Sequence, residues 1–189
     1  VDGVDATEDD EGDAVTVLGG EVTVLGGTVT RVEGRGLTAS GATVTLTDFH
    51  VKDAGAGIWI AGPGATLERC TVTNTSRTGI LLVGSPERGE FIVADTVVRK
   101  ASLAGLQLQL ADATVTGSEF SETVQSGESG NGASVVDSHL EASACLFRGN
   151  VTNGIYIAYP SSAKLRANTY SDTVCFQHVG CSSWCCSAR

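Results

Sequence analysis

Methionine is missing from all 189 positions, the first included. The numbering is therefore expected to begin downstream of a processed leader, the segment that would carry any targeting signal. Aromatic residues make up only 5% of the chain and proline occurs three times. No apolar run approaches the ~18 residues that a membrane-crossing helix needs. Cations are scarce: 12 Lys and Arg stand against 22 Asp and Glu, a formal charge of −10. A nucleic acid or an anionic membrane surface would need a basic patch to bind, so neither is expected as a partner. Helical periodicity is lacking as well, since Val-Thr-Val and Gly-Gly are poor helix material.

What the chain has is glycine, 24 residues of it, and repetition. Gly57-Ile58-Trp59-Ile60 returns as Gly79-Ile80-Leu81-Leu82, Gly105-Leu106-Gln107-Leu108, Gly132-Ala133-Ser134-Val135 and Gly154-Ile155-Tyr156-Ile157, at steps of 22, 26, 27 and 22 residues. A period near 22 built from strand-forming residues predicts a solenoid in which each repeat is one turn of a coil. From Ala14 onward the text reads AVTVLGG, EVTVLGG, TVTRVEG, RGLTASG. Each heptad is a short β-branched strand closed by a turn, and three of them make the ~21 residues of one three-sided coil.

Alignment on this theme gives three inward pairs per coil, each with the two-residue period of a strand. A first strand supplies Val44/Leu46, Ala65/Leu67, Phe91/Val93, Ala113/Val115, Leu140/Ala142 and Ala163/Leu165. A second, at constant offset, supplies Phe49/Val51, Cys70/Val72, Thr96/Val98, Ser118/Phe120, Cys145/Phe147 and Asn168/Tyr170. The third carries the Gly-Ile-x-Ile theme, with Val15/Val17 and Leu37/Ala39 as its forerunners. Insertions fall at two corners, Gly84 to Glu90 and Val124 to Asn131, and read as surface loops.

In these strands, and in coils of the type ATLERCTVTNTSRTGILLV at Ala65 to Val83, the chain resembles the right-handed parallel β-helix of the pectate-lyase-like superfamily. The resemblance covers about residues 14–176 and implies an all-β fold of about seven three-sided coils of 21–27 residues. It implies little about function, because that superfamily spans lyases, hydrolases, tailspikes, adhesins and structural modules. The expected plan is an acidic linker or extension at 1–13, the parallel β-helix at 14–174 and a Cys-rich cap at 175–189.

Six cysteines in an acidic chain point to an exported protein. Cys175, Cys181, Cys185 and Cys186 are disulfide candidates in the cap, where Phe176, Val179 and Trp184 would plug the core; a metal site with His178 is the lesser alternative. Cys70 and Cys145 share one inward position three coils apart, about 14 Å. That is too far for a mutual bond, which needs Cα atoms within ~7 Å, so both are expected to be buried thiols. Asp9, Asp10, Glu11 and Asp13 offer a weak calcium reading without a spaced ligand loop; no other cofactor and no metal site is expected.

A catalytic member of the superfamily would set carboxylates outward on adjacent coils. The outward positions of the first strand are Thr45, Thr66, Ile92, Thr114, Glu141 and Lys164, and those of the second are His50, Thr71, Val97, Glu119, Leu146 and Thr169. No carboxylate row appears, Asp48 and Asp95 with Arg69 between them read as a solvated ladder, and no catalytic residue is assigned. The third strand instead points an apolar stripe outward, and Trp59, Leu81, Val83, Gln107, Gln109, Val136 and Tyr156 are the expected binding surface. The sequence therefore points to an extracellular or cell-surface structural or adhesive solenoid that packs laterally on itself or on another surface protein. An uncapped N-terminal coil allows end-to-end stacking as a variant. The alternative is a carbohydrate-binding or carbohydrate-active module that takes a polysaccharide. Ice binding through the Thr-Val-Thr triplets at 28, 43, 71 and 114 is the weakest reading, since they do not stay on one face.

Overall fold

The computed structural model describes residues 12–84, 88–124 and 129–178, and for 174–178 the backbone alone. Every strand pairs in parallel with its equivalent one coil away. The chain starts with one uninterrupted extended run, β1 (Val15–Gly62), which rounds its corners without losing strand geometry. The remaining strands come in threes: β2 (Gly64–Glu68), β3 (Thr71–Thr75) and β4 (Ile80–Gly84); β5 (Gly89–Ala94), β6 (Val97–Ala101) and β7 (Ala104–Gln109). Then follow β8 (Ala111–Thr116), β9 (Glu119–Ser121) and β10 (Asn131–Val136), and β11 (His139–Ser143), β12 (Leu146–Arg148) and β13 (Asn153–Ile157). The last set is β14 (Ser162–Arg166), β15 (Thr169–Ser171) and β16 (Val174–His178). Those fifteen strands are five turns, fewer than the seven expected, because the earlier coils are fused into β1 rather than broken at their corners.

The register agrees with the sequence alignment strand by strand. The first face stacks Val44, Ala65, Phe91, Ala113, Leu140 and Ala163. The second stacks Val51, Val72, Val98, Phe120, Phe147 and Tyr170, and the third Ile58, Ile80, Leu106, Ala133 and Ile155. These columns form one continuous buried core. Phe120, Phe147 and Tyr170 stack with centroids 5.6 and 5.3 Å apart, an aromatic column inside the second face. The two insertions lie where expected, after β4 and after β9; residues 85–87 and 125–128 are outside the described set.

The constant offset between the first and second strands has a backbone cause. Asp48, Arg69, Asp95, Gly117, Ala144 and Ala167 all have φ between +48° and +58°, and five residues later Asp53, Asn74, Lys100, Glu122, Gly149 and Asp172 have φ between +52° and +60°. Each second strand is thus held between two left-handed residues, a unit too tightly defined to accept an insertion. Most of these positions are not glycine, although a Cβ costs roughly 1–2 kcal/mol there.

Polar side chains buried at the corners close the backbone hydrogen bonds that the turns break. Thr96 Oγ1 accepts from Cys70 N (3.2 Å) and donates to Ala94 O, and Ser118 Oγ accepts from Thr96 N (3.1 Å) and donates to Thr116 O. Asn168 does the same one coil beyond Cys145, taking Cys145 N at 2.9 Å and giving to Ala142 O. Cys70 and Cys145 occupy this column as buried free thiols whose Sγ atoms lie 3.6 and 3.3 Å from the carbonyls of Glu68 and Ser143. Their thiols are weak hydrogen-bond donors as well as small apolar groups.

The glycine of the repeated theme is required by space. A Cβ at Gly105 would lie 2.6 Å from Gly132 O and one at Gly132 would lie 2.6 Å from Gly154 O and 2.9 Å from the Phe147 ring, while Cβ atoms at Gly57 and Gly79 would overlap Val72 and Val98. Gly105→Ala is therefore expected to cost several kcal/mol of unfolding free energy, about 3 or more. Ala144→Gly, which relieves a left-handed residue, is expected to gain about 0.5–1 kcal/mol. Urea melts of both variants against the parent measure the two signs.

Candidate interaction face

The third strand of each coil turns two residues outward, which makes two rows down the solenoid. Trp59, Leu81, Gln107, Ser134 and Tyr156 are register neighbours in one row, and Ala61, Val83, Gln109 and Val136 in the other. All seven residues expected to form the binding surface therefore stand on one sheet. None of the outward residues on this face from Trp59 to Ala158 carries a charge. The other two faces carry charges among neutral residues such as Thr66 and Thr71: Glu90, Asp112, Glu141 and Lys164 with His139 on the first, Lys52, Arg99, Glu119 and Arg148 on the second.

The stripe points outward but is only partly open to water. Every one of the seven is half-buried, because rungs ~4.8 Å apart lay each side chain against the next. Leu18 at 79% and Tyr159 at 77% are exposed at the ends of the face and Leu110 at 50% at its corner, while Leu25 at 76%, Val151 at 58% and Val124 at 54% are exposed outside its two rows. Leu18 extends the Val83 row, since Ala14 N donates to Arg35 O with the one-coil step that Gly57 N makes to Thr78 O. The sequence held this signal, for Leu18 follows the inward Val17 at an outward position. Leu110 was hidden because a φ of +51° takes it out of strand alternation, and Tyr159 because it sits in the turn after β13.

Where the face begins, Trp59 is stacked by Arg35, whose guanidinium carbon is 4.9 Å from the ring centroid. Asp13 holds Arg35 in place, accepting from its backbone N at 2.8 Å and pairing with Nη1 at 3.5 Å, and also accepts from Thr38. Asp13 is the described member of the acidic calcium candidates; Asp9, Asp10 and Glu11 lie outside the described residues, as do Cys181, Cys185, Cys186, Val179 and Trp184. The backbone of Cys175 and Phe176 belongs to β16, with the side chains outside the description.

A polar groove of about 740 Å³ runs along the corner between the second and third strands, with Asp53, Asn74, Ser76, Lys100, Ser102 and Glu122 among its walls. A smaller cavity of about 240 Å³ lies between that corner and Trp59. Among the described residues no three His, Cys, Asp or Glu side chains gather as a metal site, and no helix is long and apolar enough to cross a membrane.

The charged faces are ordered by pairs between coils. Arg69 takes Asp48 with Nε and Nη2 at 2.9 and 3.0 Å, so the corner ladder foreseen from Asp48, Arg69 and Asp95 is realised by its first two members, with Glu68 as a further partner. On the first face His139 Nδ1 lies 2.7 Å from Ser162 Oγ and Nε2 3.4 Å from Glu141, which also binds Lys164. On the second, Arg99 holds Glu119 at 3.0 and 2.7 Å, and Arg148 approaches the same carboxylate at 3.6 Å. Arg99 above all, then Ser121 and Arg148, keep the Glu119 carboxyl below its ordinary range against the opposing effect of burial.

A family model described as "Right handed beta helix region" matches residues 9–170. The chain belongs to that family. No curated protein matches it.

Two measurements probe this β-helix. Burial pushes the Cys70 and Cys145 thiols above the ordinary range, so neither is expected to react with an aromatic disulfide reagent at pH 8 until the protein unfolds; mass mapping of labelled peptides checks this. Glu119 titrates low when folded, so its stabilising contribution is complete above its unfolded pKa of about 4.3 and fades as the pH falls through the folded value. The melting temperature of Glu119→Gln is expected to trail the parent above about pH 5 and to converge on it in more acid solution.

Proposed function

We propose that this right-handed β-helix is a non-catalytic extracellular structural or adhesive module that packs laterally through the outward face of its third strand. The observation that carries the reading is that this face alone is free of charge and largely apolar, in a chain where 18% of residues are charged. Charges left unpaired in an interface are costly to desolvate, and the centres of interfaces are depleted of them. A flat sheet with Trp59, Leu81, Val83, Val136 and Tyr156 at half exposure loses its remaining water contact when a similar sheet covers it. The partner that fits is a second copy, since the same uncharged rows then meet across an isologous contact. Each copy carries −10, and contact across the one uncharged face keeps those charges apart.

A second reading, a carbohydrate-binding or carbohydrate-active module, draws on the 740 Å³ groove, whose hydroxyl, amide, amine and carboxylate groups suit a polyhydroxylated ligand. Stacking of a sugar on Trp59 is less favoured, because Arg35 already covers one face of the ring.

Light scattering after size exclusion, with and without reductant, tests the first reading. Association is expected to strengthen as salt rises from about 20 mM to 0.3 M, which screens repulsion between like-charged copies. Val83→Glu with Val136→Glu is expected to weaken it at least tenfold by placing four like charges in the contact. A monomer at every salt and protein concentration would sink the proposal. A glycan array and a lyase assay with added calcium test the second, and silence in both removes it.

A further inference from the structure

The residue before the repeated glycine changes along the solenoid. It is Ala56, Thr78 and Ala104 in three earlier coils, then Asn131 and Asn153 in the two that follow. Asn131 is the register partner of Ala104, and the pairing of Ala133 with Ile155 sets Asn153 next in the same column. Both asparagines are buried, at 7% and 3% exposure, and Asn153 Nδ2 donates to Asn131 Oδ1 at 2.9 Å. Two amides that would each be costly to bury alone are thus joined across one coil step.

The glycine that follows is fixed by packing: a Cβ at Gly132 would lie 2.6 Å from Gly154 O and 2.7 Å from Asn150 Nδ2. Asn-Gly is also the dipeptide that most readily loses its side-chain amide, because a glycine has no side chain to hinder the approach of its own nitrogen to the asparagine Cγ. In that reaction the glycine nitrogen bonds to Cγ, the bond from Cγ to the side-chain nitrogen breaks and ammonia leaves. Water then opens the succinimide ring at either carbonyl, which gives aspartate or isoaspartate. Ring closure needs the glycine nitrogen to swing onto Cγ. Both dipeptides lie instead in strands held on two sides, β10 by β7 and β13, and β13 by β10 and β16.

We propose that Asn131 and Asn153 are latent modification sites, which the fold keeps unreactive and which deamidate once the coils around them open. Water is the only co-reactant. The products do not fit back into the stack. Isoaspartate routes the main chain through one extra carbon, which breaks the two-residue alternation of β10 or β13. Aspartate puts a charge into a buried column built from neutral amides. Opening that lasts long enough for reaction therefore becomes irreversible. Among the described residues Asn153 has one strand of its face beyond it and Asn131 has two, so a stack that opens from this end exposes Asn153 first. Neither site depends on what the outward side of the third strand packs against.

The test incubates the parent chain at mildly alkaline pH when folded, in urea just below the unfolding transition, and fully unfolded. Peptide mapping by mass spectrometry and an isoaspartate assay follow the products. In the unfolded chain both sites are expected to convert at least tenfold faster than Asn74, Asn150 and Asn168, which precede Thr, Val and Thr. In the folded chain both are expected to convert at least tenfold more slowly than in the unfolded one. Just below the transition Asn153 is expected to lead Asn131. The fraction that refolds on dilution is expected to fall in step with isoaspartate content. Asn131→Thr with Asn153→Thr, which repeats the residue found at Thr78, is expected to refold to a constant fraction after the same incubation. Should that double variant not fold, the rates and refolding of the parent still decide the matter. Conversion of the folded chain at the unfolded rate, or refolding that ignores isoaspartate content, overturns the proposal. Conversion of Asn131 ahead of Asn153 overturns the order of opening.

Discussion

A tight approach recurs through this solenoid, between the glycine that opens each third strand and the carbonyl of its counterpart in the next coil. At Gly105 and Gly132 the backbone leaves no volume for even one methyl group, and the Val72, Val98 and Phe147 side chains of the second strand fill the space on the inner side. The rest follows from that contact. Because the third strand starts at a fixed point against the second, Ile58, Ile80, Leu106 and Ile155 fall in line, and the residues between them turn outward in line as well. A bulkier residue would push one coil away from the next and break the parallel ladder on all three sides. Glycine is here a packing residue; only at other places, such as Gly117 and Gly149, does it serve by tolerating positive φ.

Regularity at the core leaves individuality to the corners. Two of the three corners accept added residues, and each use gives a distinct surface: loops at 84–90 and 124–131. The corner between the first and second strands accepts none, since one left-handed residue sits in it and a second, five residues on, closes the short second strand. Buried Thr96 and Ser118 and the half-buried Asn168 bind backbone groups of the adjoining coil there, so neighbouring turns are tied to each other. That arrangement sorts function by face. Charged ladders occupy the first and second faces, where Asp48 with Arg69 and Glu119 with Arg99 join neighbouring coils, and the third is left uncharged.

The fold was legible because its cause is periodic. Inward Val44, Ala65 and Phe91, or Val51, Val72 and Val98, recur at offsets that only a coil explains, and the structure places each of them in register. The interaction face was legible in membership but not in exposure. Outward pointing can be counted from Trp59 and Leu81, whereas the shelter that each rung gives its neighbour is a property of side chains ~4.8 Å apart. Leu110 and Tyr159 escaped because a positive φ at one and a turn at the other end the alternation on which such counting rests.

Burial is uneven along the axis. Val15, Val17 and Val24 in the first coil and Ala163, Leu165 and Tyr170 near the other end are only partly buried, while Leu67, Leu82, Leu106 and Phe120 between them are sealed from water. A linear stack whose rungs touch only their neighbours loses order from its ends inward. Amide exchange in such a molecule runs as a gradient, fast at the terminal rungs and slow at the centre, and the terminal rungs act as sacrificial layers. Damage or fraying at β14 or in the opening residues of β1 can come and go while the central coils, with Trp59 and the row beneath it, keep their shape.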